Sequence, residues 1–572
     1  MVNGVLGGSG STGTISSTGL YTASTDPAVE TVTVTAEIPG DNVPSTPGSI
    51  QVFNPSKFAP GTVASTNNPL VALYSLNVPE GVNVQIQFGQ STNYGLTTWV
   101  QPAPNFGGTV SIFVAGMRAS TTYHMQALVS LPTGTQVADS DHTFTTGPLP
   151  APVSNITVQQ TAGMTPAPGV ELLCLDPTDG KGELAAVVTD LSGNVIWYYN
   201  IGSNTWPFPM KLLPNGHMLV VAAPVTNAAG QLPPNSPDNE VREIDLAGNI
   251  INQITLSQID SGLASLGASF DVAGLHHDIL PLPNGHRILL TNVEQTFNNQ
   301  PGLPPGTVVL GDVLLDWDPQ AGAVWYWSAF DHFDVSRIPY GISNGLSDWT
   351  HSNAVIYSPD DGNLILSMRD QNWIIKINYQ DGAGDGSVLW RFGYQGDFSL
   401  PSGEAPIQWN YGQHYPTIIS PNSAGVFSLM FFDNGNNRLV DANDDVCGTT
   451  GNISCYSNVP VFQIDEGART AQLQTETNLS PVYSDCCGDA QFLSNGDLEY
   501  DVAADISPIL GSYVQEVTQG QSPQLVWQMN IPGPLAYRAF RIPSLYPGVA
   551  WSQPAIATSE ALPTKGAPAK SK

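Results

Sequence analysis

The fold class this sequence predicts is all-β, a six-bladed β-propeller preceded by a small β-sandwich. Composition carries the all-β part. Of 572 residues, 41% are hydrophobic and only 11% charged, with 56 Gly and 47 Pro; a large core interrupted by so many turn formers fits short strands. Two repeated elements carry the propeller. A turn recurs at Leu213-Pro-Asn-Gly-His, Leu282-Pro-Asn-Gly-His, Ser358-Pro-Asp-Asp-Gly-Asn and Leu493-Ser-Asn-Gly-Asp, with Ser420-Pro-Asn-Ser-Ala-Gly as a longer form. These read as type I′ or related hairpin turns leading from an inner strand to the next one outward. An outer-strand element recurs at Gly193-Asn-Val-Ile-Trp-Tyr, Gly322-Ala-Val-Trp-Tyr-Trp, Gly386-Ser-Val-Leu-Trp-Arg and Gln524-Leu-Val-Trp-Gln, and without tryptophan at Gly248-Asn-Ile-Ile and Ala471-Gln-Leu-Gln. Six such elements imply six blades. Their spacing, on the order of 55 to 80 residues, exceeds that of forty-residue propeller repeats, so the blades carry long loops able to build a site on one rim.

Residues 1–47 open with a Gly/Ser/Thr-rich stretch followed by Val32-Thr-Val-Thr-Ala36. The segment resembles the second half of a bacterial immunoglobulin-like module, and the native chain is expected to continue upstream of it. Residues 48–148 are expected to form the sandwich. Val71–Leu76, Val82–Phe88, Gly108–Val114 and Tyr123–Val129 largely alternate apolar and polar residues with period two, which suits strands and not helices. Asp141-His-Thr-Phe-Thr-Thr-Gly147 resembles the last strand of a fibronectin type III domain, and the expected role of this immunoglobulin/fibronectin III-like domain is packing or homodimerisation. A stiff Pro-rich linker follows at 149–153, the propeller occupies 154–552, and 553–572 form a tail.

The balance of 17 basic against 48 acidic residues gives a formal charge of −31. That argues against nucleic acid or an anionic membrane surface as partner, and means that an anionic substrate needs a local cationic pocket. No apolar run of about 18 residues occurs, so no membrane span is expected, and no signal peptide is visible at the start of this chain. Five cysteines are too few to staple the fold. Cys447 and Cys455 bracket a loop whose length suits a local disulfide in an oxidising compartment, consistent with a periplasmic or secreted protein. Cys486 and Cys487 are adjacent and read either as a vicinal disulfide or as small buried residues, and Cys174 reads as a lone core thiol.

Four of the nine histidines fall at one recurring position, shortly before a Pro-Asn or Pro-Asp turn: His276 and His277, His351, and His414. Repeats that place imidazoles at one structural position aim them at one point, as propeller blades aim inner strands at a channel. The other five, His124, His142, His217, His286 and His332, read as surface or structural residues.

Trp349-Thr-His-Ser-Asn-Ala-Val through Ser-Met-Arg-Asp370, His276-His-Asp-Ile-Leu-Pro-Leu-Pro-Asn-Gly285, and Gln413-His-Tyr-Pro with Phe431-Phe-Asp-Asn-Gly-Asn-Asn-Arg438 closely resemble the bacterial arylsulfate sulfotransferases. The resemblance spans roughly residues 154 to 550. It implies a six-bladed propeller that moves a sulfuryl group from an aryl sulfate to a phenolic acceptor by a ping-pong mechanism through a sulfohistidine, with neither a nucleotide sulfate donor nor another cofactor. It implies His414 as nucleophile, with His351, Arg369 and His277 at the sulfate oxygens.

Elementary chemistry agrees with those residue types. Sulfuryl transfer, like phosphoryl transfer, has little covalent bonding in its transition state, so catalysis rests on positioning and on cations placed where oxygen charge accumulates. A neutral imidazole can attack sulfur and split the transfer into two steps. Strand alternation requires one of His276 and His277 to face away, and His277 is the one expected in the channel. His276, Asn353 and Asn434 complete the candidate substrate shell, although Asn353 and Asp278 also read as orienting residues inside a blade and Asn434 as a turn former. Convergent histidines are also a metal motif, but Arg369 among them would repel a cation and no metal is expected. Two further readings are a non-catalytic propeller that binds sulfated or phenolic ligands, and a quinoprotein-type oxidoreductase, for which the regular tryptophan docking motif is not visible.

Overall fold

A computed structural model of the chain describes residues 1–551, apart from 25–28, 37–44, 54–57, 151–154, 176–183, 203–204, 225–238, 339–347, 402, 404, 421–422, 442, 444, 449–452, 504–510, 521 and 534. The tail expected at 553–572 and most of the linker expected at 149–153 lie outside the described residues. The fold is nearly all β, and the chain divides into two compact units, Met1–Pro148 and Leu149–Lys572.

In the first unit, Ala72–Val78 pairs with Gly108–Val114 on one side and Thr62–Ser65 on the other, while Asn83–Gly89 pairs with Thr122–Ser130 in a second sheet. Burial alternates along these strands, with Val84, Ile86 and Phe88 inside and Gln85 and Gln87 between them. That is the period-two pattern of a half-buried strand.

The second unit contains six antiparallel sheets among its described residues. Five follow the chain as four-stranded meanders. In order from one edge to the other, the second runs from Thr205–Leu212 to Ile250–Thr255, the third from Gly274–Pro281 to Gly322–Ser328, the fourth from Ser352–Ser358 to Val388–Phe392, and the fifth from His414–Ile418 to Thr470–Asn478. The sixth runs from Ala490–Phe492 to Leu525–Pro532 and gains Thr157–Gln160 outside it. The first sheet joins the two ends of the unit. Its opening strand is Ala536–Ile542, which pairs with Val170–Leu175 and is followed by Ala186–Thr189 and Val195–Tyr199. The first strands of successive sheets pack against one another, so the residues at their starts meet.

The sheets are held face to face by apolar clusters. Ile288, Leu290 and Leu314 of the third sheet share one with Val355, Leu364 and Leu366 of the fourth; Met430 and Val461 of the fifth share another with Tyr500 and Val502 of the sixth. The six outer-strand elements recognised in the sequence do form the last strand of the meander in all six sheets. Four tryptophans also tie one sheet to the next. Trp197, Trp327, Trp390 and Trp527 each sit in the last strand of one sheet, and each indole N–H donates to the turn before the last strand of the next sheet, at Leu246 O, Gly386 O, Glu466 Oε1 and Leu191 O. The Trp527 bond joins the sixth sheet to the first. There Arg541 also forms a buried ion cluster with Glu171 of the first sheet and Glu499 and Glu516 of the sixth.

The repeated turns are hairpin turns of a kind related to type I′. At Leu213-Pro-Asn-Gly-His the Gly216 N–H donates to Leu213 O, only Gly216 has positive φ (80°), and the Leu213 N–H returns to His217 O. A type I′ turn needs two left-handed residues, whereas Pro fixes the negative φ of a type I turn, which the glycine then closes as a bulge.

Candidate functional site

The site lies where the third, fourth and fifth sheets begin. Each first strand carries an irregularity in its pairing: between Leu275 and Ile279, between Ser352 and Ala354, and between His414 and Thr417. At these places non-glycine residues adopt left-handed backbone, His277 (φ 55°), His351 (φ 42°) and Tyr415 (φ 44°), and Cys487 (φ 65°) joins them from the loop before the sixth sheet. Each such residue costs about 1–3 kcal/mol. Their gathering around one point marks a place where the fold accepts strain to aim side chains.

His414 is 1% exposed. Its Nδ1 lies 2.6 Å from Asn434 Oδ1 and 3.1 Å from Gly412 O, two acceptors that hold the proton on Nδ1. Nε2 therefore carries the lone pair, and it receives the Cys487 N–H at 3.2 Å. Burial holds this imidazole well below the ordinary histidine value, and the nearby Arg369 charge adds to the effect, so the ring is neutral at neutral pH. Gly412 (φ 67°) is required by space as well as backbone, because a Cβ there would meet Asn436 Oδ1.

The His277 and His351 rings are 4.7 Å apart, edge to face. His351 Nδ1 bonds Asp348 Oδ2 at 2.5 Å. Burial alone would push this imidazole down, but the hydrogen bond and charge of Asp348 outweigh it and the net displacement is upward. His277 goes the other way, well below its ordinary value, through burial and then the neighbouring charges of His351 and His276.

The expectation that one of His276 and His277 faces away fails. Positive φ at His277 breaks the alternation, and the two rings stand edge to face at 4.9 Å with their Nδ1 atoms 2.7 Å apart. His276 Nε2 points towards Asp312 Oδ1 at 3.2 Å, out of line for a hydrogen bond.

Arg369 follows the second strand of the fourth sheet. Its Nη1 bonds Asp370 Oδ1 at 2.6 Å, its Nη2 bonds Asp485 O at 3.2 Å, and its buried Nε has no partner. Asn353 is buried and donates to Gln413 O beside His414, leaving its Oδ1 unpartnered. Asn434 is neither on a rim nor merely in a turn: its Oδ1 takes the His414 proton, and its Nδ2 donates to Ser484 O and Cys487 O. Asp278 binds Lys211 Nζ at 2.6 Å and accepts the Val355 N–H from the next sheet, an orienting role.

Sequence reasoning missed two residues. Arg538 is fully buried, and only its Nη2 is engaged, with Asn353 O and Tyr537 Oη; its Nε and Nη1 have no partner. It stacks over Tyr415 at 4.3 Å, and its charge acts on both His277 and His414. A basic residue in a chain so short of them was the available signal. Asp348, three residues before His351, is the other.

Cys447 and Cys455 form a disulfide. Cys486 and Cys487 are free thiols in contact at 2.6 Å, and Cys174 is a buried thiol whose pKa burial raises to about 12. Among the described residues, Asp348, His351 and Asp370 bring ligand atoms within 4.8 Å of one another, a donor set that suits a cation; the Arg369 guanidinium bonded to Asp370 already supplies positive charge there. No helix of the described residues is long and apolar enough to cross a membrane.

Comparison with known proteins gives one family. The family model described as arylsulfotransferase (ASST) matches residues 156–538, a span containing all the site residues above. No curated protein matches the chain. Among solved structures, a Synechocystis apocarotenoid oxygenase variant is 12% identical, with 84% of this chain and 94% of that one covered and a TM-score of 0.27. The S. cerevisiae core factor is 10% identical over 82% and 60% of the two chains, with a TM-score of 0.20. At these scores neither likeness carries an argument.

Proposed function

The chain belongs to the arylsulfotransferase family and is a transferase, and on that premise we propose that its six sheets are the blades of a six-bladed propeller whose central histidines carry a sulfuryl group between two half-reactions. The donor is an aryl sulfate and the acceptor a phenol. The observation that supports this reading best is the state of His414, a neutral buried imidazole with its proton committed to Asn434 and its lone pair on Nε2. The first unit reads as an N-terminal sandwich domain, and the Cys447–Cys455 disulfide accords with a periplasmic or secreted location.

In the first half-reaction Nε2 attacks sulfur, the sulfur–oxygen bond to the aryl group breaks, and the departing phenolate takes a proton from His351, whose raised pKa keeps it charged nearer neutrality. In the second, an acceptor phenol gives its proton to His351 as its oxygen attacks sulfur and the nitrogen–sulfur bond breaks. Oxygen charge that accumulates in either transition state is met by the unpartnered N–H groups of Arg369 and Arg538, with His277 as a further contact. Asp348 positions His351, Asn434 and Gly412 position His414, and Asn353 holds the strand carrying His414. His276 acts through His277. The Cys487 N–H on Nε2 must yield as the donor arrives, and at 3.2 Å it is a weak bond to lose.

The test is intact mass. Protein exposed to an aryl sulfate without acceptor and quenched at high pH is expected to gain one sulfuryl group, located on His414 by fragmentation and lost on adding phenol. Unmodified protein that still turns over would rule out the covalent route.

A further inference from the structure

The loop before the sixth sheet, Ser484-Asp-Cys-Cys-Gly488, is bonded to three residues of the site. The Cys487 N–H donates to His414 Nε2, Asn434 Nδ2 donates to Ser484 O and Cys487 O, and Arg369 Nη2 donates to Asp485 O. The same loop carries two adjacent thiols. Neighbouring side chains of an extended strand point to opposite faces; the left-handed backbone of Cys487 (φ 65°) breaks that alternation, and the two Sγ atoms meet at 2.6 Å. Joining them closes a small ring around the Cys486–Cys487 peptide. That peptide is the one whose N–H holds His414 and whose C=O accepts from Ser484 Oγ. Adjacent Cα atoms are about 3.8 Å apart across a trans peptide, below the usual disulfide span of about 4.4–6.8 Å, whereas Cys447 and Cys455 at 5.0 Å lie within it. A bond so constrained is more easily reduced, and such bonds are the labile, regulatory ones.

We propose that Cys486 and Cys487 are a thiol–disulfide switch acting on His414, in which oxidation by a small disulfide slows the reaction and reduction restores it. Cys486 is half-buried and Cys487 is 7% exposed. Burial pushes the Cys487 thiol well up, with the Arg369 charge acting against it, so Cys486 is the thiol that meets the reagent. Its thiolate attacks one sulfur of the reagent and releases a first thiolate. The Cys487 sulfur then attacks the Cys486 sulfur, the mixed disulfide breaks, and a second thiolate leaves. The two cysteine protons end on the two released thiols, and the electron pair lost by the cysteines reduces the reagent. Closing the ring turns the peptide inside it, so its N–H leaves His414 Nε2 and the loop pulls on Asn434 and Arg369. The effect on rate rests on the sulfuryl-transfer reading, whereas the change at His414 does not.

The full chain is treated with glutathione disulfide and then with dithiothreitol, with peptide mapping at each stage. The expected product is a Cys486–Cys487 bond that dithiothreitol opens while Cys447–Cys455 survives. Magnetic resonance signals of the His414 ring in isotope-labelled protein, assigned by their loss in His414→Ala, are expected to shift on oxidation and return on reduction. Turnover of phenyl sulfate with a phenol is expected to fall about tenfold or more and to recover, since small displacements of positioning groups act strongly on rate. Cys486→Ser and Cys486→Ala are expected to keep both activity and ring signals and to be indifferent to the reagent. Thiols left free, a stable mixed disulfide at Cys486, unmoved His414 signals, a turnover that does not fall, or an equal fall in the Cys486 variants would each overturn the proposal. A protein with no turnover in either form, in which the bond forms and the His414 signals shift, would uphold the switch and refute the sulfuryl-transfer reading.

Discussion

Asp348→Asn isolates the charge that tunes His351. The amide keeps an oxygen where the carboxylate accepts from Nδ1 at 2.5 Å, so geometry survives while the charge is lost. A hydrogen bond to a charged group is worth about 1.5–3 kcal/mol, and about 1.4 kcal/mol corresponds to one pH unit. Asp348 is 28% exposed, so solvent screens part of this and the expected displacement is about one pH unit, at the lower end of that range. The sign follows from the direction of the perturbation: Asp348 holds His351 above its ordinary value, so its removal lets the imidazole lose its proton at lower pH. In a ping-pong scheme, kcat/KM for donor and for acceptor report the two half-reactions separately. The alkaline limb of the donor profile, which needs protonated His351, and the acid limb of the acceptor profile, which needs it neutral, are both expected to move down together. Phenyl sulfate is the donor of choice because its leaving phenolate needs the proton. If neither limb moves, or only one does, His351 is not the shared acid and base.

His414→Ala is expected to remove transfer while leaving circular dichroism unchanged; turnover within about tenfold of wild type, only about 1.4 kcal/mol of barrier, would remove it as nucleophile. Arg369→Lys and Arg538→Lys are each expected to reduce kcat strongly, because an ammonium cannot reproduce the planar fork presented to sulfuryl oxygens; near-normal rates in either would make that arginine structural. Double-reciprocal plots of donor at several phenol concentrations are expected to be parallel and unaffected by a chelator, whereas a rate that falls with chelator and recovers with a divalent ion would assign Asp348, His351 and Asp370 to a metal. Trp527→Phe deletes the indole bond to Leu191 O between the sixth and first sheets, and a loss of about 1–3 kcal/mol in denaturant unfolding is expected; no loss would mean that the ion cluster of Arg541 carries that junction.

What the sequence determined by itself was local. A strand alternates with period two, and a Pro-Asn-Gly turn closes within five residues, so the strands of the first unit, the hairpins and the six outer-strand elements were legible from short windows. The histidine positions were legible for the same reason, since each stands shortly before its turn. Of the turn classes left open, proline decides against type I′, because it fixes φ at a position where that turn needs the opposite sign. What only the tertiary structure decided was convergence. Arg538 reaches the site because Ala536–Ile542, the last strand among the described residues, pairs with Val170–Leu175 near the beginning of the unit, a contact no window of sequence contains. Asn434 meets His414 across 20 residues and Cys487 meets it across 73. The shared side of His276 and His277 depends on one left-handed residue, a conformation uncommon outside glycine and not readable from a local window. Residue types thus pointed to the chemistry proposed, and the burial and pairing that set each proton and each free N–H came from chain segments that only the tertiary structure brings together.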